Sequence, residues 1–230
     1  MPRPNKNWFD VLPRNRLLAE YSMWSADLLR LAQDLERITP HADILHIDVA
    51  DGVFAQAFLY FPDLVAKIRA ETALPIHVHL MVADAVLLSQ IKQFAEAGAD
   101  LISLHGENAN AAEGLDLIAK AKVRAGMVLR VDSPVKIAEP FVGRLDKLTL
   151  LGTAIGVKGQ GLDPAACDRL KEAGASIAKT GRRIVLAADG GIRNTTVPLL
   201  RAAGAETVVM GPLAFGAPDL AERMAWLHAL

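Results

Sequence analysis

Eight short apolar runs alternate with helical patterns along 230 residues, and no shift in composition marks a second domain. Parallel strands joined by helical crossovers either stay open or close. Eight of them in this length predict a closed (β/α)8 barrel of the TIM type, folded as one domain. A hydrophobic content of 52% agrees, because a parallel sheet covered on both faces is built from near-continuous apolar strands.

Residues 1–15 are polar and Pro-rich and read as an arm that lays Trp8 and Phe9 on the body or on a partner subunit; the barrel is expected over 16–230. The first strand is expected at Leu17 to Ser22, followed by a helix opening at Ser25-Ala26-Asp27 with Ser25 as N-cap. The second strand spans Asp43 to Asp48 and is followed by a loop and a short helix near Asp63 to Ala70. Further strands are expected at Ile76–Met81, Leu101–His105, Gly126–Val131, Leu145–Leu151, Ile184–Ala188 and Thr207–Met210. Helices fill the intervals at Asp84–Glu96, Ala109–Val123, Pro164–Lys179 and Thr195–Ala203. Gly98, Gly174 and Gly204 read as helix stops before the next strand.

Composition narrows the function. A net charge of −1 offers no basic surface for nucleic acid. No apolar run approaches the roughly 20 residues that span a bilayer, so no membrane partner is expected. The opening residues lack the apolar core of a secretory signal. A single cysteine, Cys167, excludes an internal disulfide and suits a reducing compartment. The expectation is a soluble cytoplasmic α/β protein.

Barrel chemistry sits where strands end and loops begin. In the run Ile44 to Gly52, strand alternation puts His46 and Asp48 on one face, ending at the turn signal Asp51-Gly52. An imidazole and a carboxylate so placed can be metal ligands, an acid/base pair or a satisfied core histidine. The other predicted strand exits carry Ser22, His77, His79, His105 with Glu107, Arg130 with Asp132, and Asp189. So many polar groups converging among apolar strands points to a functional rim. Glycines form a second signal: Gly156, Gly159 and Gly161 follow the sixth strand, Gly190 and Gly191 the seventh, and Gly211 the eighth. Glycine lets backbone N–H groups approach an anion closely, and barrels often hold phosphate on these loops.

These motifs resemble the ribulose-phosphate 3-epimerase family. The similarity runs through Ser22-Met23-Trp24-Ser25-Ala26-Asp27, His46-Ile47-Asp48-Val49-Ala50-Asp51-Gly52 and His79-Leu80-Met81-Val82. It continues through Gly98-Ala99-Asp100 to His105, Gly156 to Gln160, Asp189-Gly190-Gly191-Ile192, and Gly204-Ala205 to Gly211 and Phe215. The resemblance implies a metal-dependent isomerase that inverts carbon 3 of a ketose phosphate, of the ribulose 5-phosphate/xylulose 5-phosphate type. It implies a divalent ion (zinc, iron, cobalt or manganese) on His46, Asp48, His79 and Asp189. The ion would chelate the ketose oxygens and stabilise an enediolate, with Asp48 and Asp189 as the two bases, one on each side of its plane. It further implies a substrate-binding set of Ser22, Met81, His105, Gly156, Lys158, Gly159, Gly190, Gly191 and Gly211, and a homo-oligomer.

The chain also departs from the family pattern. Ala50 and Leu151 stand where methionines are usual, which would leave a roomier cap over the substrate. The loop after Asp-Gly customarily continues with a Pro-Asn pair, whereas Asp51-Gly52-Val53-Phe54-Ala55-Gln56 follows a different course. Pro212, with no N–H, follows the glycine of strand eight. Lys158, with Arg130 as a second candidate, could contact phosphate in compensation, and His77 is expected to support His79 rather than bind the ion. Such changes open a second reading, a 3-epimerase of another ketose phosphate such as allulose 6-phosphate. A phosphosugar-binding descendant without catalysis would have lost a ligand, and none is lost. An aldolase-type barrel would need a lysine at an inner strand end, and none is predicted there.

Overall fold

The computed structural model describes residues 1–230. Eight parallel strands close on themselves: β1 (Leu18–Ser22) pairs with both β2 (Ile44–Asp51) and β9 (Thr207–Met210). Between them run β4 (Ile76–Met81), β5 (Leu101–His105), β6 (Arg124–Leu129), β7 (Lys147–Leu151) and β8 (Val185–Asp189). The short β3 (Phe58–Leu59) runs antiparallel to the end of β2 and lies outside the barrel count. Eight helices accompany the strands: α1 (Leu31–Ile38), α2 (Pro62–Glu71), α3 (Asp84–Ala97), α4 (Ala111–Lys120), α5 (Ala166–Ala178), α6 (Val197–Ala202), α7 (Pro212–Phe215) and α8 (Leu220–His228). Two 3-10 turns, Val135–Ala138 and Val142–Arg144, make the crossover from β6 to β7. The single-domain (β/α)8 barrel expected from the sequence is therefore the fold, and no helix is long and apolar enough to cross a membrane.

Local chemistry explains most boundaries. Gly98 takes φ +111° at the end of α3, a left-handed cap that a side chain would strain. Gly174 does not stop a helix: it lies within α5, which runs on to Ala178. Ser25 does not cap α1 either. It closes a 3-10 turn, Met23–Ser25, and α1 starts only at Leu31. The Asp27 carboxylate accepts from the Leu29 N–H and pairs with Arg30, holding a turn where a helix was expected.

Strand alternation divides the buried residues into two sets. Ile47, Val49, Val78, Leu80, Ile102, Leu104, Leu148 and Leu186 belong to the main core, with residues from the helices. The alternate positions point into the barrel. Leu18, Ile44, Leu101 and Val185 form its amino-terminal layer, and Phe9 and Leu12 plug that mouth, with Trp8 packed against them. Phe9 is 2% exposed, and the Arg124 guanidinium lies 5.0 Å from its ring centre. Truncating such a plug leaves a void that the rigid strand ends cannot collapse. Phe9→Ala is expected to cost about 3–5 kcal/mol, read by urea unfolding with the slope unchanged; a loss below about 1 kcal/mol would mean the arm only rests on the surface.

Candidate active site

Above the apolar layer the interior turns polar. The β2/β4 register sets His46 beside His77 and Asp48 beside His79, while Leu151 pairs with Asp189 across β7 and β8. Four ligand atoms, one each from His46, Asp48, His79 and Asp189, lie within 4.8 Å of one another. His46 Nε2 is 3.0 Å from Asp48 Oδ1 and 3.9 Å from Asp189 Oδ2. His79 Nδ1 is 3.2 Å from the same Asp48 oxygen and 4.0 Å from Asp189 Oδ2. The outward nitrogens are occupied: His46 Nδ1 lies 2.8 Å from Glu20 Oε1, and His79 Nε2 lies 2.9 Å from His105 Nε2. Such bonds orient ligating imidazoles. Two nitrogens and two carboxylate oxygens converging in this way suit a first-row divalent ion.

The two carboxylates differ in state. Burial pushes Asp48 up, but the charge of His46 and bonds from both imidazoles outweigh it and hold the group well below the usual carboxylate range. Asp48 Oδ2 also accepts from the Ser22 hydroxyl at 2.7 Å. Asp189 has no such donors. Burial, with the negative charges of Asp48 and Glu20, raises it to about 7 against the pull of His46. His46 is itself raised to about 10, because Asp48 and Glu20 overcome the penalty of burial.

A cavity of about 430 Å³ opens over this set. Of the expected residues, Ser22, Asp48, His79, Met81, Gly156, Lys158, Gly159, Asp189, Gly190, Gly191 and Gly211 line it. His46 lies beneath it, fully buried. His105, expected to touch substrate, does not line the cavity. It is fully buried between His79 and Glu107, whose Oε2 is 3.1 Å from its Nδ1. Its low-exposure site follows from Phe54, whose ring packs 4.8 Å from the imidazole. Arg130 is drawn to the same ring, 4.1 Å from its centre, and donates to the Phe54 carbonyl, so it turns away from the cavity. Lys158 reaches across the mouth, donates to the Trp24 carbonyl at 2.7 Å and lies over the indole. The cap expected to be roomy is partly refilled. Ala50 and Met81 cluster with Ala55, and Phe54, Leu59 and Ile155 pack against them. Gly190 and Gly191 take φ +84° and +70° with neighbours too close for a Cβ, so the turn itself demands glycine.

Several residues escaped the sequence reading. Thr153, Arg193 and Asn194 line the cavity from loops, where no periodicity marks them, and Trp24 and Gln160, which lie within the family motifs, line it without having been expected as site residues. Glu20 and Lys147 are fully inside the barrel; strand alternation with Ser22 and Leu151 was the available signal. His77 was expected at a strand exit but is the second residue of β4 and lies one layer down, bonded to Glu20 and to Ser103.

A closed parallel barrel whose carboxyl-terminal rim carries a convergent polar cluster under a cavity is the architecture of a (β/α)8-barrel enzyme. The chain matches the model of the ribulose-phosphate 3-epimerase family over residues 18–215. It is 35% identical over 204 residues to ribulose-phosphate 3-epimerase 2 of Cupriavidus necator, covering 86% of this chain and 84% of that one. It is 33% identical to the ribulose-phosphate 3-epimerase of Bacillus subtilis, covering 86% and 92%. Among solved structures, a 3-hexulose-6-phosphate synthase from Salmonella typhimurium superposes with a TM-score of 0.70 at 15% identity, covering 92% and 96%, a likeness of fold. The chain belongs to the ribulose-phosphate 3-epimerase family, carbohydrate epimerases of the isomerase class.

Filling the donor set requires His46 to lose its Nε2 proton, whereas Asp189 can coordinate through one oxygen and keep a proton on the other. Because His46 is raised to about 10, that proton must leave throughout the neutral range. Divalent-ion affinity is therefore expected to rise with pH across that range. Calorimetry in buffers of different ionisation enthalpy reads the protons released; affinity independent of pH from 6 to 9 would refute the arrangement.

Proposed function

We propose that the protein is a divalent-metal-dependent 3-epimerase of a ketose phosphate of the ribulose 5-phosphate/xylulose 5-phosphate type, working by two-base proton transfer through an enediolate. The observation that carries this reading is the pair of unlike carboxylates that line one cavity from β2 and β8: Asp48, bonded to Ser22 and to both imidazoles, and Asp189, which accepts from none of them. Inversion at carbon 3 needs a base on one face and an acid on the other, with pKa values pushed apart by environment. Asp48, held ionised by its histidine neighbours and oriented by Ser22, takes the carbon 3 proton. Asp189, protonated at about neutral pH, delivers a proton to the opposite face, and the roles exchange in the reverse direction. His46, Asp48, His79 and Asp189 would hold the metal, and when bound it supplies Lewis-acid stabilisation of negative charge developing on the substrate oxygens. Zinc, iron, cobalt and manganese all suit this donor set.

The loops over the rim carry substrate recognition. Gly156, Gly159, Gly190, Gly191 and Gly211 present backbone to the phosphate end. Lys158 bridges to Trp24 at the mouth and adds positive charge beside it. The names of the matched relatives favour the pentulose phosphates. Ala50 and Leu151, standing where the family usually carries methionines, support a second reading, a 3-epimerase of another ketose phosphate such as allulose 6-phosphate.

Deuterium wash-in at carbon 3, with metal-loaded protein and each ketose phosphate in heavy water, decides between them. Exchange with epimer formation is expected on one sugar. Asp48→Asn and Asp189→Asn are each expected to lower turnover by about 10²–10⁴, with the singly substituted protein still exchanging the proton of the epimer its remaining carboxylate can reach. Absence of exchange on both sugars with metal bound would overturn the assignment.

A further inference from the structure

Barrel interiors of this class are usually filled by branched apolar side chains. The layer directly beneath the donor set is instead polar and dry: Glu20, His77, Ser103 and Lys147, with His46 above them, are each at most 1% exposed. Glu20 sits at its centre. One oxygen, Oε1, meets His46 Nδ1 at 2.8 Å and bonds His77 Nδ1; the other, Oε2, accepts from Lys147 Nζ. His77 Nε2 in turn lies 2.7 Å from Ser103 Oγ, and a Cβ on Gly126 would collide with that Ser103 hydroxyl.

A buried ion pair is a poor way to fill space, since apolar residues of similar volume stabilise as well or better. What an apolar filler lacks is an acceptor under His46. The imidazole has two nitrogens, and Nε2 faces Asp48 and Asp189. A carboxylate fixed beneath Nδ1 holds the proton there and leaves the Nε2 lone pair for the donor set. Lys147 cancels the charge of Glu20, so the acceptor is gained without adding a net negative charge below two aspartates. Glu20, His46 and His77 themselves converge as a second ligand-like triad, but the Lys147 ammonium is already seated on its carboxylate.

We propose that Glu20, neutralised by Lys147, is a positioning residue that fixes the tautomer and orientation of His46 for divalent-ion binding. The inference rests on the metal-dependent reading above.

The test titrates stripped protein with Co²⁺, reading affinity by chelator competition and ligand geometry by visible absorption, with circular dichroism as the folding control. In the double variant Glu20→Leu/Lys147→Met, the pair is replaced by apolar groups. It is expected to fold, to bind Co²⁺ about 10–100-fold more weakly and to show an altered absorption band. Glu20→Gln/Lys147→Met keeps an oxygen acceptor without charge and is expected to return within a few-fold of wild type. Wild-type affinity in both doubles, or equal loss in both, would overturn the positioning role. Should either double fail to fold, long-range ¹⁵N NMR of the metal-free wild type decides: a proton held on Nδ1 of His46 supports the role and a neutral imidazole protonated on Nε2 instead overturns it. Wild-type protein that binds Co²⁺ no better than His79→Ala would overturn the metal reading itself, and that arm is read in the same titration.

Discussion

The rim depends on one buried imidazole. His46 is gripped from below by Glu20 and faces Asp48 and Asp189 above, so its two nitrogens join the barrel interior to the donor set. Closing eight strands forces every second residue inward. An inward polar residue that finds no partner would cost several kcal/mol. In this barrel the inward residues answer one another in layers: an apolar base sealed by Phe9, a middle layer balanced by Lys147, and a rim of carboxylates and histidines. The small residue Gly126 is part of that answer, because it leaves room for the Ser103 hydroxyl that bonds His77.

The same field separates the two carboxylates. Asp48 has both histidines and the Ser22 hydroxyl as partners, and its charge is compensated at once. Asp189, entering from β8, lies 3.9 and 4.0 Å from those imidazoles and accepts no hydrogen bond from them, so burial decides its state. Two identical side chains thus acquire opposite proton preferences through position alone. The histidines farther from the donor set remain neutral for the complementary reason. Burial depresses His105 to about 4 and His77 to about 3, the latter with help from the Lys147 charge.

Around this centre the loops carry the individuality of the chain. Phe54 is the clearest case. It covers His105 and holds Arg130 away from the cavity. Lys158 is spent on Trp24, tying the loop after β7 to the loop after β1 across the opening. Arg193 braces the same loop by donating to the carbonyls of Gly159 and Gln160. Each of these contacts joins residues far apart in the chain.

Much of this protein was legible in its residues alone. Three strands, Ile76–Met81, Leu101–His105 and Thr207–Met210, match the structure in full, because their apolar runs are bounded by turn chemistry and their period is short-range. The convergence of His46, Asp48, His79 and Asp189 was implied by the family motifs, and alternation by itself placed His46 and Asp48 on one face, since a strand leaves a side chain only two faces. The departures arose where a distant partner outweighed a local preference. Ser25 resembles a helix cap, yet the Asp27 turn delays α1. His105 resembles a substrate contact, yet Phe54 and Glu107 enclose it. Glu20 and Lys147, 127 positions apart, look like ordinary surface charges until barrel closure places them together. Local sequence determined the fold class and the chemistry offered at the rim. Which charges became partners was decided only by the tertiary structure, because strand stagger and closure set the distances on which electrostatic pairing depends.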